Sequence, residues 1–285
     1  SLEWLKKLHT EWDGNDYTKF AKNIMKNNKH IHWRGMSQLP DTEKVIEELN
    51  QQGNRLFKHR SKLPIPFAIF GMALYLLTAK SPENNLVFEV FCLSVGLFGQ
   101  LIRAITLGYT PKGTSGRNTN GQVAEQLNTK GMYSIMRNPL YLGNFFMWFA
   151  VVLFVNIHWF SMFYIMCFWM YYERIIFAEE NFLRNKYGEP YINWASKTPI
   201  FLPRLTGWKK PDLFFSLKNV LKREYSGFFA LFFTLSLFNL ANNVVNHSVW
   251  NLSEFWMYAL LTSGVITLVL RTLKKTTKIL HVSGR

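Results

Sequence analysis

Long apolar runs alternate with strongly polar stretches along this chain of 285 residues. The apolar runs cover residues 64–79, 86–107, 139–155, 157–177, 225–246 and 252–271. Each run approaches the roughly 20 residues that an α-helix needs to cross a bilayer, although the first and third are short. The pattern therefore predicts an all-α, polytopic integral membrane protein whose bundle contains about six transmembrane helices.

Local signals indicate where several of these helices begin and end. Proline fits the first turn of a helix, where its missing N–H costs no hydrogen bond, so Pro139 is predicted to begin the third span. The third and fourth spans meet at Asn156, which leaves room only for a tight helical hairpin. The fourth span is expected to continue as a helix as far as Gly188, because glycine commonly follows the last turn of a helix.

The polar stretches divide the chain into three predicted regions. Residues 1–60 form a basic, tryptophan-containing extension, in which Leu2, Leu5 and Leu8 predict an amphipathic helix on the cytoplasmic bilayer surface. A second helix is predicted after Pro40, and no cleavable signal peptide is expected because the region is too polar. Residues 61–205 form the predicted transmembrane core with cytoplasmic ligand-binding loops, and residues 206–285 form a C-terminal helical hairpin that serves as scaffold.

The net charge of +15 suits either nucleic acid or an anionic membrane surface, and the positions of the charges decide between them. With the N-terminus in the cytosol, twelve Lys and Arg residues precede the first span, four lie in 108–138, nine in 178–224 and four follow Arg271. The opposite loops carry only Lys80. This asymmetry follows the positive-inside rule, so the sequence predicts both termini in the cytosol and no nucleic-acid partner.

The sequence predicts neither a metal site nor a disulfide. Cys92 and Cys167 are the only cysteines, and both fall inside apolar runs, where the expected role is that of a small buried hydrophobic residue. His30 and His32 are two residues apart, and such a pair does not share a helix face. No cysteine or acidic residue stands beside them at the spacing of a metal ligand.

The stretch from Thr129 to Gly143 places polar chemistry at the mouth of the third span. It contains two glycines, two tyrosines, an arginine, an asparagine and a proline. Arg137 and Asn138 precede the helix that begins at Pro139, and a helix N-terminus favours anions through its N–H groups and its dipole. Two interpretations stand at this point: a site for an anionic ligand, or a capped membrane helix with an interfacial arginine.

The loop before this stretch, residues 109–133, is dense in hydrogen-bonding side chains. Gly113, Gly116 and Gly121 would let its backbone approach a ligand closely. The loop matches neither a phosphate-binding P-loop nor the dinucleotide-binding glycine fingerprint. It is either a flexible linker or part of a ligand site, and its content of Arg, Asn, Gln and Tyr favours the site.

Charged residues inside or next to the spans are further candidates for chemistry. Arg103 lies near the cytoplasmic end of the second span. Its long side chain is expected to place the charge at the membrane interface. If the charge instead stays inside the membrane, it marks a functional site. Glu179 and Glu180 emerge at the cytoplasmic boundary of the fourth span, on a face that is otherwise apolar. Glu180 is placed to pair with Arg184, whereas Glu179 has no equally obvious partner. The fifth and sixth spans contain few polar residues and are expected to be scaffold.

Several spaced blocks resemble the membrane-integral methyltransferases of the isoprenylcysteine carboxyl methyltransferase and phospholipid methyltransferase superfamily. The family pattern is Gly-x-Tyr-x-x-x-Arg-His-Pro-x-Tyr-x-Gly, followed by Glu-Glu-x-x-Leu, then Phe/Tyr-Gly-x-x-Tyr and a late proline. The matching residues here are Gly131, Tyr133, Arg137, Asn138, Pro139, Tyr141, Gly143, Glu179, Glu180, Leu183, Tyr187, Gly188, Tyr191 and Pro203. The resemblance covers residues 109–205, and the Pro-Lys-Gly-Thr-Ser-Gly-Arg-Asn loop is similar to a bacterial branch associated with lipid phosphates.

The resemblance implies a lipid O-methyltransferase that uses S-adenosylmethionine and acts on a phosphate or carboxylate oxygen of an anionic lipid head group. Arg137, Arg174 and Glu180 are the implied catalytic residues, and the two arginines would orient the head group. The implied cofactor contacts are Asn118, Leu127, Asn128, Tyr133, Asn138, Pro139, Leu140, Tyr141 and Glu179. The chemistry is compatible, because a sulfonium cation suits a carboxylate and the faces of aromatic rings.

One position departs from the family pattern, because Asn138 stands where the family has a histidine. An asparagine amide supplies a donor, but it cannot be charged or reach as far as an imidazole. Two other hypotheses stay open. One is an NADPH-dependent membrane reductase of sterols or related lipids, since some of these carry a similar Arg-His-Pro-x-Tyr block. The other is a non-enzymatic lipid-binding protein, which is favoured if Asn138 has removed the activity. The implied partners are the bilayer and a membrane lipid. The implied location is a bacterial inner membrane rather than the endoplasmic reticulum, with the active site facing the cytosol.

Overall fold

The computed structural model describes most of the chain from Thr42 onward. The described residues are 42–62, 64–77, 85–111, 113–114, 122, 124–204 and 206–285. The predicted N-terminal amphipathic helix and the two histidines considered as metal ligands lie outside these residues. The chain divides into two compact units, Ser1–Glu47 and Glu48–Arg285, and the described part of the first unit is the start of a helix.

The described residues form eight α-helices and a short 3₁₀ helix, and no β-strand occurs among them. The α-helices are α1 Thr42–His59, α2 Pro64–Leu77, α3 Leu86–Tyr109, α4 Pro139–Phe154, α5 His158–Tyr187, α6 Glu189–Ala195, α7 Leu217–His247 and α8 Glu254–Thr276. The 3₁₀ helix Gly131–Ser134 lies between α3 and α4. Six helices, namely α2, α3, α4, α5, α7 and α8, fall on the six apolar runs, so the predicted all-α class is confirmed.

Several of these helices have the length and surface of membrane spans. In the described part of the chain, α3, α7 and α8 are long and apolar enough to cross a membrane, and α2 and α4 are shorter apolar helices. Large hydrophobic side chains stay exposed along the bundle, among them Leu97, Leu101, Met166 and Leu268. Extensive exposed apolar surface of this kind marks contact with lipid, so the chain is an integral membrane protein.

The close packing of α3 against α4 depends on two glycines. A methyl group on Gly99 would lie 2.5 Å from the backbone oxygen of Gly143, and one on Gly143 would lie 2.4 Å from Cγ of Arg103. Only glycine fits at either position, which is how small residues let membrane helices approach one another. The last glycine of the 129–143 stretch therefore places α4 directly against Arg103.

Helix ends are confirmed where the sequence carries a specific signal. Pro139 is the first residue of α4, and Asn156, with a φ of 59°, makes the tight turn between α4 and α5. Gly188, also with a φ of 59°, ends α5. The start of α7 differs from the apolar run at 225–246, because Ser216 caps the helix and its polar first turns begin at Leu217.

A buried polar cluster joins α3, α7 and α8 near the C-terminal end of α7. The carboxylate of Glu89 accepts hydrogen bonds from Asn239 Nδ2 at 2.9 Å and from Trp256 Nε1 at 2.6 Å. The hydroxyl of Ser253 donates to Asn239 Oδ1 at 3.0 Å. These four residues are referred to below as the Glu89 cluster. Each oxygen of the Glu89 carboxylate has a donor from a neighbouring helix, so the cluster fastens the three helices together.

Candidate functional site

A cavity of about 580 Å³ lies where the ends of several helices meet, and it is referred to as the site cavity. Its wall combines the C-terminal ends of α1, α3 and α5 with the N-terminal ends of α2, α4 and α7. Its charged lining residues in the described part of the chain are Arg60, Arg103, Arg137, Arg223, Glu179 and Glu224. Four arginines against two glutamates give the wall an excess of positive charge.

Helix α6 and the chain that follows it pack over the 129–138 segment and hold it in place. The backbone N–H of Arg137 donates to the carbonyl of Pro199 at 2.8 Å. The indole N–H of Trp194 donates to the carbonyl of Tyr133 at 3.0 Å. Because both ends of this segment are fixed in this way, the side chains of Tyr133 and Arg137 become part of the cavity wall.

Glu179 and Tyr141 meet across the site cavity wall from two different helices. The Tyr141 hydroxyl donates to Glu179 Oε2 at 2.8 Å. Glu179 lies beyond the predicted span 157–177, and burial raises the pKa of its carboxyl from the ordinary 4.5 to about 7. The hydrogen bond from Tyr141 and the charge of Arg60 limit this rise of the pKa. Near neutral pH the carboxyl is therefore divided between its neutral and charged forms, and a bound cation would favour the charged form.

Tyrosine rings surround this carboxyl. The rings of Tyr141 and Tyr172 lie with their centroids 4.7 Å apart, and both residues line the cavity together with Tyr133. Burial and the negative charge of Glu179 raise the pKa of the Tyr133 hydroxyl, so it stays protonated and able to donate a hydrogen bond. The arrangement offers a cation both a carboxylate and aromatic faces.

Arg137 and Glu180 form an ion pair behind the cavity wall. Arg137 Nη1 lies 2.6 Å from Glu180 Oε2, and their side chains are 15% and 18% exposed. Burial raises the pKa of the Glu180 carboxyl, and the charge of Arg137 opposes that rise. The sequence placed Glu180 to pair with Arg184, but its ion-pair partner is Arg137. Arg174, the third predicted catalytic residue, is not part of the cavity wall and lies in α5 where its carbonyl faces Gly53 of α1.

Arg103 forms an ion pair inside the bundle, so the expectation that it extends to the membrane interface is wrong. Its Nε and Nη2 donate to the two carboxylate oxygens of Glu224 at 2.8 and 2.7 Å. Its Nη1 donates to Asn144 Oδ1 at 2.6 Å, and Gln100 Nε2 also donates to Glu224 at 2.9 Å. A guanidinium with such a bidentate partner gains more inside the bundle than it would by reaching for the interface.

The N-terminus of α4 faces the site cavity through Asn138, Pro139 and Leu140. The side chain of Asn138 does not cap this helix, because its Nδ2 donates instead to the carbonyl of Ile200 at 3.1 Å. The positive end of the helix dipole is thus directed at the cavity without a side-chain cap.

Two further predicted cofactor contacts, Leu127 and Asn128, are not part of the described cavity wall. Leu127 and Asn128 belong to the adjoining loop, where Asn128 Oδ1 accepts a hydrogen bond from the N–H of Lys130 at 3.2 Å. Asn118 lies outside the residues that the structure describes.

Sequence reasoning missed the contribution of α7 to the site cavity. Arg223, Glu224 and Ser226 line it, although the fifth span was expected to be scaffold. One signal pointed to Glu224: an arginine inside a membrane span needs a carboxylate partner, and Glu224 directly precedes the apolar run at 225–246. Arg60, which follows α1, carried no comparable signal.

Neither cysteine is among the residues that line the site cavity. Cys92 and Cys167 are free thiols, and Cys92 is buried. Across the described ranges, no three or more His, Cys, Asp or Glu side chains are grouped as metal ligands.

Residues 86–190 match the model of the family named Phospholipid methyltransferase. Over this segment the chain is similar to that family. Neither a curated protein nor a solved structure matches it. Tyr133, Tyr141 and Glu179 lie inside the matched segment, whereas Arg60 and Arg223 lie outside it.

Proposed function

We propose that this protein is an integral-membrane methyltransferase that moves a methyl group from S-adenosylmethionine to an oxygen of an anionic lipid head group. One observation carries the proposal: a single cavity contains Tyr133 and Tyr141 from one block of the family pattern and Glu179 from another. Polar groups held together at the end of membrane helices are costly, and such groups usually serve a ligand.

The site cavity suits the chemical groups of S-adenosylmethionine. Its volume of about 580 Å³ lies within the roughly 300–1,000 Å³ of small-molecule sites. The carboxylate of Glu179 and the faces of Tyr133 and Tyr141 suit the sulfonium cation. The N-terminus of α4, which no side chain caps, suits the carboxylate of the amino-acid portion. The residues that line the cavity therefore fit this cofactor.

When bound, S-adenosylmethionine would supply the methyl group, whose new bond to the acceptor oxygen forms as its bond to sulfur breaks and leaves the electron pair on sulfur. A phosphate or carboxylate oxygen is already anionic near neutral pH, so the chain needs no strong general base. Glu179 and Tyr141 hold the cationic end of the cofactor in place, and arginines of the wall orient the head group. Alignment of the donor with the acceptor oxygen, together with exclusion of water, accounts for most of the reduction in the activation barrier.

We also propose six membrane spans with both termini in the cytosol of a bacterial inner membrane. In this topology the N-terminal ends of α2, α4 and α7 and the C-terminal ends of α3 and α5 all face the cytosol, and these are the ends that line the site cavity. A membrane-impermeant maleimide applied to cells should label Trp250→Cys, in the loop between α7 and α8, and spare Lys58→Cys. Labelling of Lys58→Cys alone would reverse the topology.

The test of the proposed function is transfer of radiolabelled methyl from S-adenosylmethionine to lipid. The purified protein is incubated with phosphatidylcholine vesicles that contain phosphatidic acid, a fatty acid or phosphatidylethanolamine. Label is expected in the phosphatidic acid or the fatty acid, and Glu179→Gln should lower the rate strongly. Label confined to the amine of phosphatidylethanolamine would contradict the anionic oxygen acceptor.

The two other hypotheses give different results in the same preparation. A reductase would consume NADPH when lipid is added, which is followed by the loss of nicotinamide absorbance, and would leave the methyl label in the cofactor. A non-enzymatic lipid-binding protein would bind the vesicle lipids but use neither cofactor.

A further inference from the structure

A smaller cavity of about 140 Å³ adjoins the site cavity, and it is referred to as the side cavity. The two cavities share the residues Arg103, Asn144, Trp148, Glu224 and Ser226. They therefore meet at the Arg103–Glu224 ion pair, which forms the polar floor of the junction.

Beyond the junction, the wall of the side cavity becomes apolar. It is formed by Met147 and Val151 of α4 and by Gly227, Ala230 and Leu231 of α7. From Glu224 to Leu231 the helix rises by about 10 Å, at 1.5 Å per residue, toward the middle of α7. The order along α7 is thus charged, then polar, then apolar, which is the order of groups in a lipid from head group to hydrocarbon chain.

The charged end of this path carries more arginine than glutamate. Arg103 is paired with Glu224 and Arg137 with Glu180. Arg60 and Arg223 also line the wall, where the charge of Arg60 acts on the pKa of Glu179 and that of Arg223 on the pKa of Tyr133. Both of these arginines lie outside residues 86–190, the segment that matches the family. Arg60 and Arg223 thus lie in parts of the chain that the family match does not cover, unlike Tyr133, Tyr141 and Glu179.

We infer that α7 forms the acceptor site: Arg223, together with Arg60, holds an anionic head group, and the side cavity between α4 and α7 takes the adjoining part of its hydrocarbon chain. This inference rests on the proposed function and names its substrate class as an anionic amphiphile. Arg is suited to the head group, because its planar guanidinium makes paired hydrogen bonds to phosphate and carboxylate alike.

Gly227 provides a way to fill the side cavity without removing a charged side chain, although a Cβ there would lie 4.0 Å from Glu224 Oε2. A Cβ at this position would lie 3.4 Å from Cε of Met147 and 3.7 Å from Gln100 Oε1, which are ordinary contacts. Alanine, valine and leucine at position 227 should therefore fill the side cavity progressively. Gly264→Leu in α8 is the matched control, because its nearest neighbour would be the ring of Phe229 at 3.7 Å and it lines neither cavity.

The first experiment measures binding of cis-parinaric acid, a fluorescent fatty acid, to the full-length protein in detergent, without cofactor. Arg223→Gln should weaken binding about ten-fold, since a charge-assisted hydrogen bond is lost. The Gly227→Ala, Gly227→Val and Gly227→Leu series should weaken it in order of side-chain size. Lys222→Gln, which removes the same charge one residue away, and Gly264→Leu should leave binding within about two-fold of the unmodified protein.

The second experiment measures methyl transfer to phosphatidic acid or to a fatty acid in phosphatidylcholine vesicles. The acceptor that is methylated shows whether the head group is a phosphate or a carboxylate. Arg223→Gln and Gly227→Leu should raise the acceptor KM while calorimetry shows unchanged affinity for S-adenosylmethionine.

If both variants bind cis-parinaric acid as their controls do, the inference is overturned, whereas the proposed function still stands if methyl transfer occurs. If the unmodified protein binds the fatty acid as inferred but never binds S-adenosylmethionine, the proposed function alone fails. Should Gly227→Leu not fold, the alanine and valine variants decide the outcome.

Discussion

The Glu89 cluster and the Arg103–Glu224 pair lie toward opposite ends of α3, and each ties α3 to α7 through a buried glutamate. Glu89 is 3% exposed and Glu224 is 5% exposed, so burial alone does not distinguish them. Glu89 accepts hydrogen bonds from two neutral side chains, Asn239 and Trp256. Glu224 instead compensates a full positive charge and borders two connected cavities. A buried carboxylate in a membrane bundle therefore indicates a ligand site only where the packing leaves space beside it.

The largest effect is expected from removing Glu224. Glu224→Leu would leave Arg103 buried without a carboxylate, which costs roughly 3–5 kcal/mol and should lower the melting temperature and the yield of folded protein. The double variant Arg103→Met with Glu224→Leu should recover much of the melting temperature but not methyl transfer. Equal melting temperatures for the single and double variants would show that the ion pair does not matter for folding.

Glu179→Gln should weaken cofactor binding while the protein still folds. Loss of the carboxylate should weaken the affinity for S-adenosylmethionine by about 1.5–3 kcal/mol, the range for hydrogen bonds to charged groups. Because the pKa of Glu179 is about 7, affinity in the unmodified protein should rise between about pH 6 and about pH 8 as the carboxyl ionises. Calorimetric titration should show this slope in the unmodified protein and a flat profile in Glu179→Gln. The same slope in both proteins would assign the titration to another group.

The raised pKa of Glu179 predicts that the stability of the ligand-free protein falls as pH rises, whereas the affinity for the cofactor rises. The folded protein favours the neutral form of Glu179, so this stabilising contribution is present below the ordinary pKa of 4.5 and is lost as pH rises through about 7. Glu179→Gln should therefore raise the melting temperature of the ligand-free protein at about pH 8 and change it less at about pH 5. A lower melting temperature at the higher pH would contradict the raised pKa.

Glu89→Gln should cost only about 1 kcal/mol, because the amide keeps one acceptor oxygen and loses one of two hydrogen bonds. Methyl transfer and cofactor affinity should be unchanged once the protein is folded, since no residue of the Glu89 cluster lines the site cavity. A strong loss of activity in a well-folded Glu89→Gln protein would contradict the distinction between a structural Glu89 cluster and an Arg103–Glu224 pair that belongs to the ligand site.

Asn138→His is expected to have the smallest effect. It restores the side chain of the family pattern at the N-terminus of α4 but disturbs the hydrogen bond to the carbonyl of Ile200. Methyl transfer should rise by a few-fold at most, roughly 1 kcal/mol. Asn193→His, at an exposed position of α6, is the matched control. If both forms bind lipid and neither transfers methyl groups, the non-enzymatic hypothesis is favoured.

The sequence predicted those features that depend on short stretches of chain. The apolar runs located six helices, and Pro139, Asn156 and Gly188 marked helix ends, because each acts through its own backbone conformation. The start of α7 was missed, because its first turns are polar and the apolar pattern begins only at residue 225.

The partners of the charged residues could not be predicted in the same way. Arg103 and Glu224 are 121 residues apart in sequence, and Tyr141 and Glu179 are 38 apart, so only the packing of α3, α4, α5 and α7 brings them together. The spacing of Glu180 and Arg184 on one helix suggested a local pair, yet Arg137 from another part of the chain pairs with Glu180. The spacing of residues on one helix indicates which ion pairs can form, and the tertiary contacts determine which of them do form.

The most direct test is an experimental structure with S-adenosylhomocysteine bound, the product left when the methyl group has been transferred. The account predicts ligand density in the site cavity, with its sulfur near Glu179 and the rings of Tyr133 and Tyr141, and its carboxylate toward the N-terminus of α4. Density at another place on the protein, or side chains of Tyr133 and Glu179 that share no cavity, would contradict it.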